Sequence, residues 1–446
     1  MKLIEATLAK IKSRFLAYDS KINWIVFCFI FCFTIGAWLD INGLWCELPI
    51  MVAELPEGWR LPSILSASTQ IAQIAPFTYL IGRRFAPKVF TYVNVIYVIL
   101  SIGALSCFLL SFFWNKTAVI FSQKHSIGLI VLNFCLALLD GTSSVTFLPY
   151  IGTNFVKEYI IPNYIGESLA ALIPSILALI QGLGQDPGCH NVTDPLTNKT
   201  SLEAIQIKPN FSVRLYFLFM FGLLCISTIA FTLLNFSPIA KRERKSAKIS
   251  KRSRTVSEKS ELEISPENAI NSQTNLTSTD QQKPVASPVP VETNRREQVF
   301  LLTIIFWVSF LAYGTLPGLQ SYSTLPYGNN IFNYAVNLSF VFLPFSIIFS
   351  IWSYEASVRQ IAIEFCIVLA FTFYIIFLSI SSPCPPFLGS WLGPFLTVFS
   401  WIITQMMYMR IRCLVAARLE RFGTLTMVGQ IFGGLIIFIV VNVRQH

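Results

Sequence analysis

The chain has 446 residues, of which 54% are hydrophobic and only 13% charged, with a net charge of +10. A soluble domain carries about 25% charged residues, so a water-soluble globular fold is excluded. Nucleic acid is excluded as a partner too, because Lys and Arg stand in short clusters between long apolar runs, which is how a membrane-orientation signal is distributed.

Residues 1–23 carry Lys2, Lys10, Lys12, Arg14 and Lys21 ahead of an apolar run too long for a signal-peptide core, and read as a cytosolic N-terminus. A helix needs about 20 apolar residues to cross a bilayer, and eleven segments meet that demand. On the first, 24–45, Trp38, Asn42 and Trp45 follow i, i+4, i+7 and share a face. Asp40 lies among them, and Glu47 precedes Pro49 at the far end. The second, 61–81, aligns Ser66, Gln70, Gln73 and Phe77. The third, 89–113, is followed by a glycosylation sequon at Asn115. The fourth, 126–148, aligns Asp140, Ser143, Ser144 and Phe147, and the fifth, 164–183, carries Glu167. The loop after it holds Cys189 and sequons at Asn191, Asn198 and Asn210, and the sixth span, 213–235, completes a six-helix bundle over 24–236.

Residues 237–298 open with KRERKSAKISKRSR and continue rich in Ser, Thr, Asn, Gln and Pro. Such a stretch cannot bury enough apolar surface to fold and is expected to be disordered. Its basic start serves chiefly as an orientation signal and suits contact with anionic inner-leaflet lipid. A five-helix bundle over 299–446 follows, with spans at 299–318, 332–352, 361–380, 391–409 and 424–442. Phe310, Tyr313, Pro317 and Gln320 align on the seventh span, Asn333 and Asn337 on the eighth. On the ninth, Glu364 is expected to pair with Arg359. Thr397, Trp401, Gln405 and Tyr408 line a face of the tenth.

With eleven crossings, Arg83 and Arg84, Lys241 and Arg242, and Arg410, Arg412, Arg418 and Arg421 all fall on the cytosolic side with the N-terminus. The sequons Asn115, Asn191, Asn198 and Asn210 fall outside, as does the C-terminus. Cys46, Cys189 and Cys384 also face the oxidising exterior, and Cys189 with Cys384 is the favoured disulfide. The six-plus-five layout around a cytosolic linker is that of a major-facilitator-like or equilibrative-nucleoside-transporter-like carrier.

Walker A, HExxH, CxxC and GxSxG motifs are all missing, so neither an enzyme, a metal centre nor a bound cofactor is expected. No Lys or Arg is expected deep in a span, which argues against an anionic substrate. Acids within spans are functional candidates; Glu47, Asp140 and Glu167 are read as gating or structural groups. Any single amide or hydroxyl is more often a packing contact between helices than a substrate contact. Together, the faces describe a cavity with aromatic walls and neutral hydrogen-bonding groups, suited to a flat, neutral, heteroaromatic or polyhydroxylated solute.

These residues carry a family signature. WLDINGLWCELP at 38–49, ELPEGW at 54–59 with LPS at 61–63, and HSIGLIVLNFCLALLDGTSSVTFLP at 125–149 resemble the riboflavin transporters. So do Gly166 and Glu167 leading to ALIQG at 178–182, LPGLQSYS at 316–323, Tyr327 with Gly328, SPCP within 381–386, and VNV at 441–443. The resemblance spans the chain apart from 184–212 and 237–298. It implies eleven spans in the plasma membrane and uptake of riboflavin without ATP or a sodium requirement. Trp38, Trp45 and Tyr322 would then wall the isoalloxazine ring, Asn42, Gln70, Gln73, Ser144 and Gln320 would bond its polar edge or the ribityl hydroxyls, and Glu47, Asp140 and Glu167 would stabilise or gate. Asp40 departs from the family pattern, which has an uncharged residue there. The alternatives are a carrier of another neutral heterocycle, such as a nucleoside, or a transport-inactive membrane receptor.

Overall fold

The computed structural model describes residues 22–120, 122–182, 188–193, 200–205, 209–246, 295–352, 356–416, 418 and 423–443. Backbone groups in hydrocarbon must be satisfied within their own segment, and the apolar runs accordingly wind into helices. The first half of the chain contains α1 Trp24–Ile35, α2 Leu39–Glu54, α3 Leu61–Ala72, α4 Ile74–Phe85, α5 Tyr92–Phe113, α6 Ile127–Asn154, α7 Ile160–Gln181 and α8 Val213–Phe236. The second contains α9 Arg295–Ser309, a π-helical turn Phe310–Thr315, α10 Leu316–Thr324, α11 Asn329–Trp352, α12 Val358–Ile380, α13 Leu392–Ala416 and α14 Gly423–Val443.

Among the described residues nine helices are long and apolar enough to cross a membrane, or ten if α1 and α2, bent by 46° at their break, form one span. The chain is thus an all-α multi-pass membrane protein, but the expected eleven is not reached. The shortfall is 61–81, which forms two helices of 12 residues each, α3 and α4. A helix of that length covers only about 18 Å. The break falls at Gln73 because Pro76 has no N–H to offer the Ala72 carbonyl and its ring crowds that turn.

Two loops hold short antiparallel hairpins, β1 Ala118–Ile120 with β2 Gln123–His125, and β3 Gly188–Thr193 with β4 Thr200–Ile205. The stretch 237–298 also begins and ends in helix: 238–246 is helical and α9 starts at Arg295. Arg244 holds the first of these in place by donating to the Leu234 carbonyl at 2.6 Å, to Asn235 Oδ1 at 3.0 Å and to the Tyr150 hydroxyl. The rest of that stretch, and residues 1–21, lie outside the described residues.

Two apolar cores hold the bundle. In the first half Phe33 packs on Phe147 and Phe231, with ring centroids 4.3 and 4.8 Å apart. In the second, Val308, Leu316, Val368, Trp401 and Ile411 close together. Phe332 and Val336 of α11 belong to the first core, so α11 ties the halves. Large apolar residues such as Phe373 and Ile229 are 65% and 60% exposed, as a surface solvated by lipid tails requires.

Candidate functional site

Along α2 the three residues singled out by spacing are the ones left half-open. Trp38, Asn42 and Trp45 are each partly exposed, while every other position from Leu39 to Pro49 is buried. The helix is enclosed by α6, α7, α8 and α11, so this stripe faces the interior of the bundle rather than lipid. The Asn42 amide nitrogen donates to the Ala170 carbonyl of α7 at 3.4 Å. The 3.6-residue period of an α-helix is what stacks the three side chains on one side.

The remaining polar candidates fall into two groups. The first closes one end of the bundle, between α3 and α10. Pro317 has no N–H for the Tyr313 carbonyl, and Gln70 of α3 fills the vacancy, its Nε2 donating at 3.1 Å. Ser66 Oγ donates to the Gly314 carbonyl at 3.4 Å, and Ser321 Oγ to the Trp59 carbonyl at 2.7 Å. Tyr322 meets the Trp59 ring edge-on, centroids 6.0 Å apart, with its hydroxyl buried and unpartnered. Gln320 is buried on the same helix, its carbonyl accepting from Ser323 and Thr324. The linker that carries Trp59 is also anchored to the first half: both Glu57 oxygens accept from Ser126 at 2.6 Å, and His125 Nδ1 lies 3.7 Å away.

The second group lies along α6 and α7. Gln73 sits in the α3–α4 break with its amide against Gly141, where a Cβ would come within 2.8 Å of Oε1. Ser144 is exposed and donates to the Asp140 carbonyl at 3.4 Å. Asp140 is buried with Oδ1 unpartnered, and Glu167 is half-buried, accepting from Asn163 at 3.0 Å. Glu47 is fully buried, with neither oxygen bonded and Gln181 as its side-chain neighbour. Asp40 accepts from its own helix at Ile41 N, and its Oδ2 has no partner.

Several expectations need correction. Glu364 is ion-paired, but with Arg410 rather than Arg359: both carboxylate oxygens accept, at 2.9 and 3.0 Å. Cys46 is buried inside the first half, 3.6 Å from Ser175 Oγ. The tenth span runs past its expected end at 409. The helix α13 continues to Ala416, and Arg412 is half-buried there, its Nη1 donating to the Tyr313 hydroxyl at 2.8 Å. Of the modification sites, Asn115 is exposed after α5, and Asn210 is exposed with Nδ2 donating to the Ile180 carbonyl at 2.7 Å. Asn191 lies on β3; its side chain, that of Cys189 and all of Asn198 lie outside the described residues. Cys384 is a free, exposed thiol in the loop after α12.

The family model for solute carrier family 52, riboflavin transporter, matches residues 22–446. The chain belongs to this family. It is a family of transporters, not enzymes. Among its relatives, the riboflavin transporter member 3-B of Danio rerio is 34% identical over 93% of this chain and 95% of its own length. Member 3 of Homo sapiens is 29% identical, over 93% and 95%. The riboflavin transporter rft-1 of Caenorhabditis elegans is 30% identical, over 94% and 96%. Among solved structures, a proton-dependent oligopeptide family transporter superposes with a TM-score of 0.53 at 13% identity, covering 92% of this chain and 90% of that one. That likeness concerns the fold alone, which is major-facilitator-like.

Proposed function

We propose that the chain takes up riboflavin across the plasma membrane by alternating access, without ATP or a sodium gradient. The Trp59 end faces the exterior, and the N-terminus and the 247–294 segment lie in the cytosol. The observation that carries the reading is the half-open stripe of α2. Two indole rings and a carboxamide stay partly accessible on one side of α2, inside the bundle, and riboflavin offers the complement: an aromatic plane to stack and an edge that alternates donors and acceptors. Trp38 and Trp45 wall the ring and Asn42 bonds its edge. Gln73 and Ser144 meet the ribityl hydroxyls. Gln70, Gln320 and Tyr322 sit at the closed end, where they contact solute as it enters. Glu47, Asp140 and Glu167 stabilise the bundle or gate it, and the substrate leaves chemically unchanged.

On the same reading Asn115, Asn191, Asn198 and Asn210 carry glycans, Cys189 and Cys384 form a disulfide, and the basic start of the central segment rests on anionic inner-leaflet lipid. Radiolabelled riboflavin uptake in cells expressing the chain tests the substrate. Saturable uptake that excess unlabelled riboflavin abolishes and nucleosides do not is the expected result. Binding without accumulation, or stronger competition by a nucleoside, would overturn it.

A further inference from the structure

The bend between α2 and α3 is pinned to the first half at two points. At the first, Ser126 donates to both oxygens of Glu57, its N–H to one and its hydroxyl to the other, each at 2.6 Å. The Glu57 side chain is buried there. Ser126 stands at the N-cap of α6, where a serine hydroxyl ordinarily caps its own helix, yet it caps nothing and is spent on Glu57. A carboxylate also suits the positive end of a helix. At the second point, three residues on, the Arg60 carbonyl accepts from Ser63 Oγ of α3 at 2.8 Å.

Gly58 and Trp59 lie between the pins, and Trp59 reaches the second half. Its carbonyl takes the Ser321 hydroxyl at 2.7 Å, its ring meets Tyr322 edge-on, and it is itself 36% exposed. Gly58 has a φ of +52°, and a Cβ built on it would meet nothing within 4 Å. Lack of space therefore does not account for a glycine here; the left-handed backbone does. The Gly58 N–H donates to the Leu55 carbonyl at 3.1 Å, and the Arg60 N–H to the Glu57 carbonyl at 3.1 Å. Rotation about the Gly58 N–Cα bond disturbs neither. A residue that tolerates either sign of φ, with fixed neighbours and empty surroundings, is what a swivel requires.

We infer that Gly58 and Trp59 form a small lid, held at Glu57 and Arg60, that swings Trp59 off Ser321 and Tyr322 when the Trp59 end opens. The structure holds the lid closed, with Gly58 left-handed; in the open position Gly58 leaves that region. Glu57 is a positioning residue for transport. It fixes the frame against which the lid closes and acts through Trp59, without touching riboflavin. The inference rests on the alternating-access reading above, in which the Trp59 end must open to admit solute and close behind it.

The test uses the full chain in intact cells, with uptake divided by surface protein. A second readout is labelling of Ser66→Cys by a membrane-impermeant maleimide, measured above the parent lacking that cysteine. Ser66 is buried one turn along α3 from Ser63 and bonded to Gly314 of the second half, so it is reached only when this end opens. Gly58→Ala is expected to raise labelling at least about threefold, because a side chain disfavours the left-handed backbone of the closed lid and leaves the open one untouched. Unchanged labelling would mean that residue 58 keeps its φ in both states, and overturns the hinge. Glu57→Ala is expected to raise labelling at least about threefold as well, by freeing the lid. It should lower maximal uptake without raising KM, since a loose lid no longer closes behind the solute. Glu57→Gln is expected to return both readings most of the way to the parent, because its amide accepts from the Ser126 N–H and donates to the hydroxyl. A Gln variant as open as the Ala variant overturns the anchor. A raised KM with unchanged labelling overturns it too, in favour of a solute contact. If Glu57→Ala fails to reach the surface, Ser126→Ala decides: it removes one of the two bonds, and labelling no higher than the parent's overturns the inference. A parent that carries no riboflavin sinks the transport reading alone, because labelling still reports on the lid.

Discussion

Asn42 spends its amide nitrogen on a long bond to Ala170, and among the described residues its amide oxygen takes no bond. That oxygen is free for a solute. On the proposed binding role, removing it would leave a donor on the bound substrate unpaired, at a cost of about 1–3 kcal/mol. Asn42→Ala is therefore expected to raise the KM for riboflavin roughly 5- to 150-fold at normal surface density. Trp38→Phe keeps part of the uptake because a ring face remains, and Trp38→Ala loses it. Leu39→Ala makes the comparison. Leu39 is fully buried, so its truncation lowers the amount of folded transporter but leaves KM of the surviving molecules unchanged. Uptake kinetics of the four variants check this, and unchanged kinetics in Asn42→Ala and Trp38→Ala would remove α2 from the site.

At the scale of elements, the crossing of the π-helical turn with α14 depends on missing side chains. A Cβ on Gly314 would stand 2.6 Å from the Gly433 Cα, and one on Gly433 2.2 Å from the Phe310 carbonyl oxygen. Backbone leaves no room to yield, so Gly314→Ala is expected to cost about 1–3 kcal/mol through overpacking, read as a lower melting temperature of the purified protein. An unchanged midpoint would mean that α14 shifts freely. The proposed disulfide belongs to this scale as well: if it forms, Cys189→Ser and Cys384→Ser should each lower surface expression, with the double variant no worse than either. Additive losses would argue against a shared bond. How far these elements can be read in advance depends on the range of the signal. The α2 stripe was legible because i, i+4, i+7 spacing survives any packing. The α3–α4 break had a legible cause in Pro76, masked by the uninterrupted apolarity around it. Arg412 was not legible: hydropathy ends a span at its first charges, and the partner that holds this one, Tyr313, lies 99 positions away. Glu364 shows the same limit, because Arg359 is near in sequence and Arg410 is near in space.

For the whole molecule, the proposed alternating access would make the contacts at the Trp59 end set which state is populated. Trp59→Ala removes the ring against Tyr322 but keeps the carbonyl that Ser321 bonds, and Ser321→Ala removes the complementary contact. Ser63 is buried between α3 and α10, so each variant is expected to raise labelling of Ser63→Cys by a membrane-impermeant maleimide, the two together more than either. No increase in either variant would mean that the closure rests on apolar packing alone. Sidedness is checked by tags. An epitope after His446 should be reached on intact cells and one at residue 270 only after permeabilisation. Both tags on one side would require an even number of crossings between them, and a tag at 270 reached on intact cells would reverse the assignment of the Trp59 end.

The π-helical turn at Phe310–Thr315 has a consequence for insertions and deletions. It accommodates a surplus residue in a helix that otherwise runs from Arg295 through α10. Each residue in an α-helix advances the chain by roughly 100° of rotation. Deleting one residue from 310–315 would let the segment wind as plain α-helix with the faces of α9 and α10 still in register, because the wide turn had absorbed the surplus. Deleting one from the regular turns of α9 or α10 would instead turn everything before it by that angle relative to everything after: either Ser321 and Tyr322 keep Trp59 and α9 rotates out of its core, or α9 stays and the closure comes undone. A single-codon deletion within 310–315 would thus be better tolerated than one in the regular turns on either side.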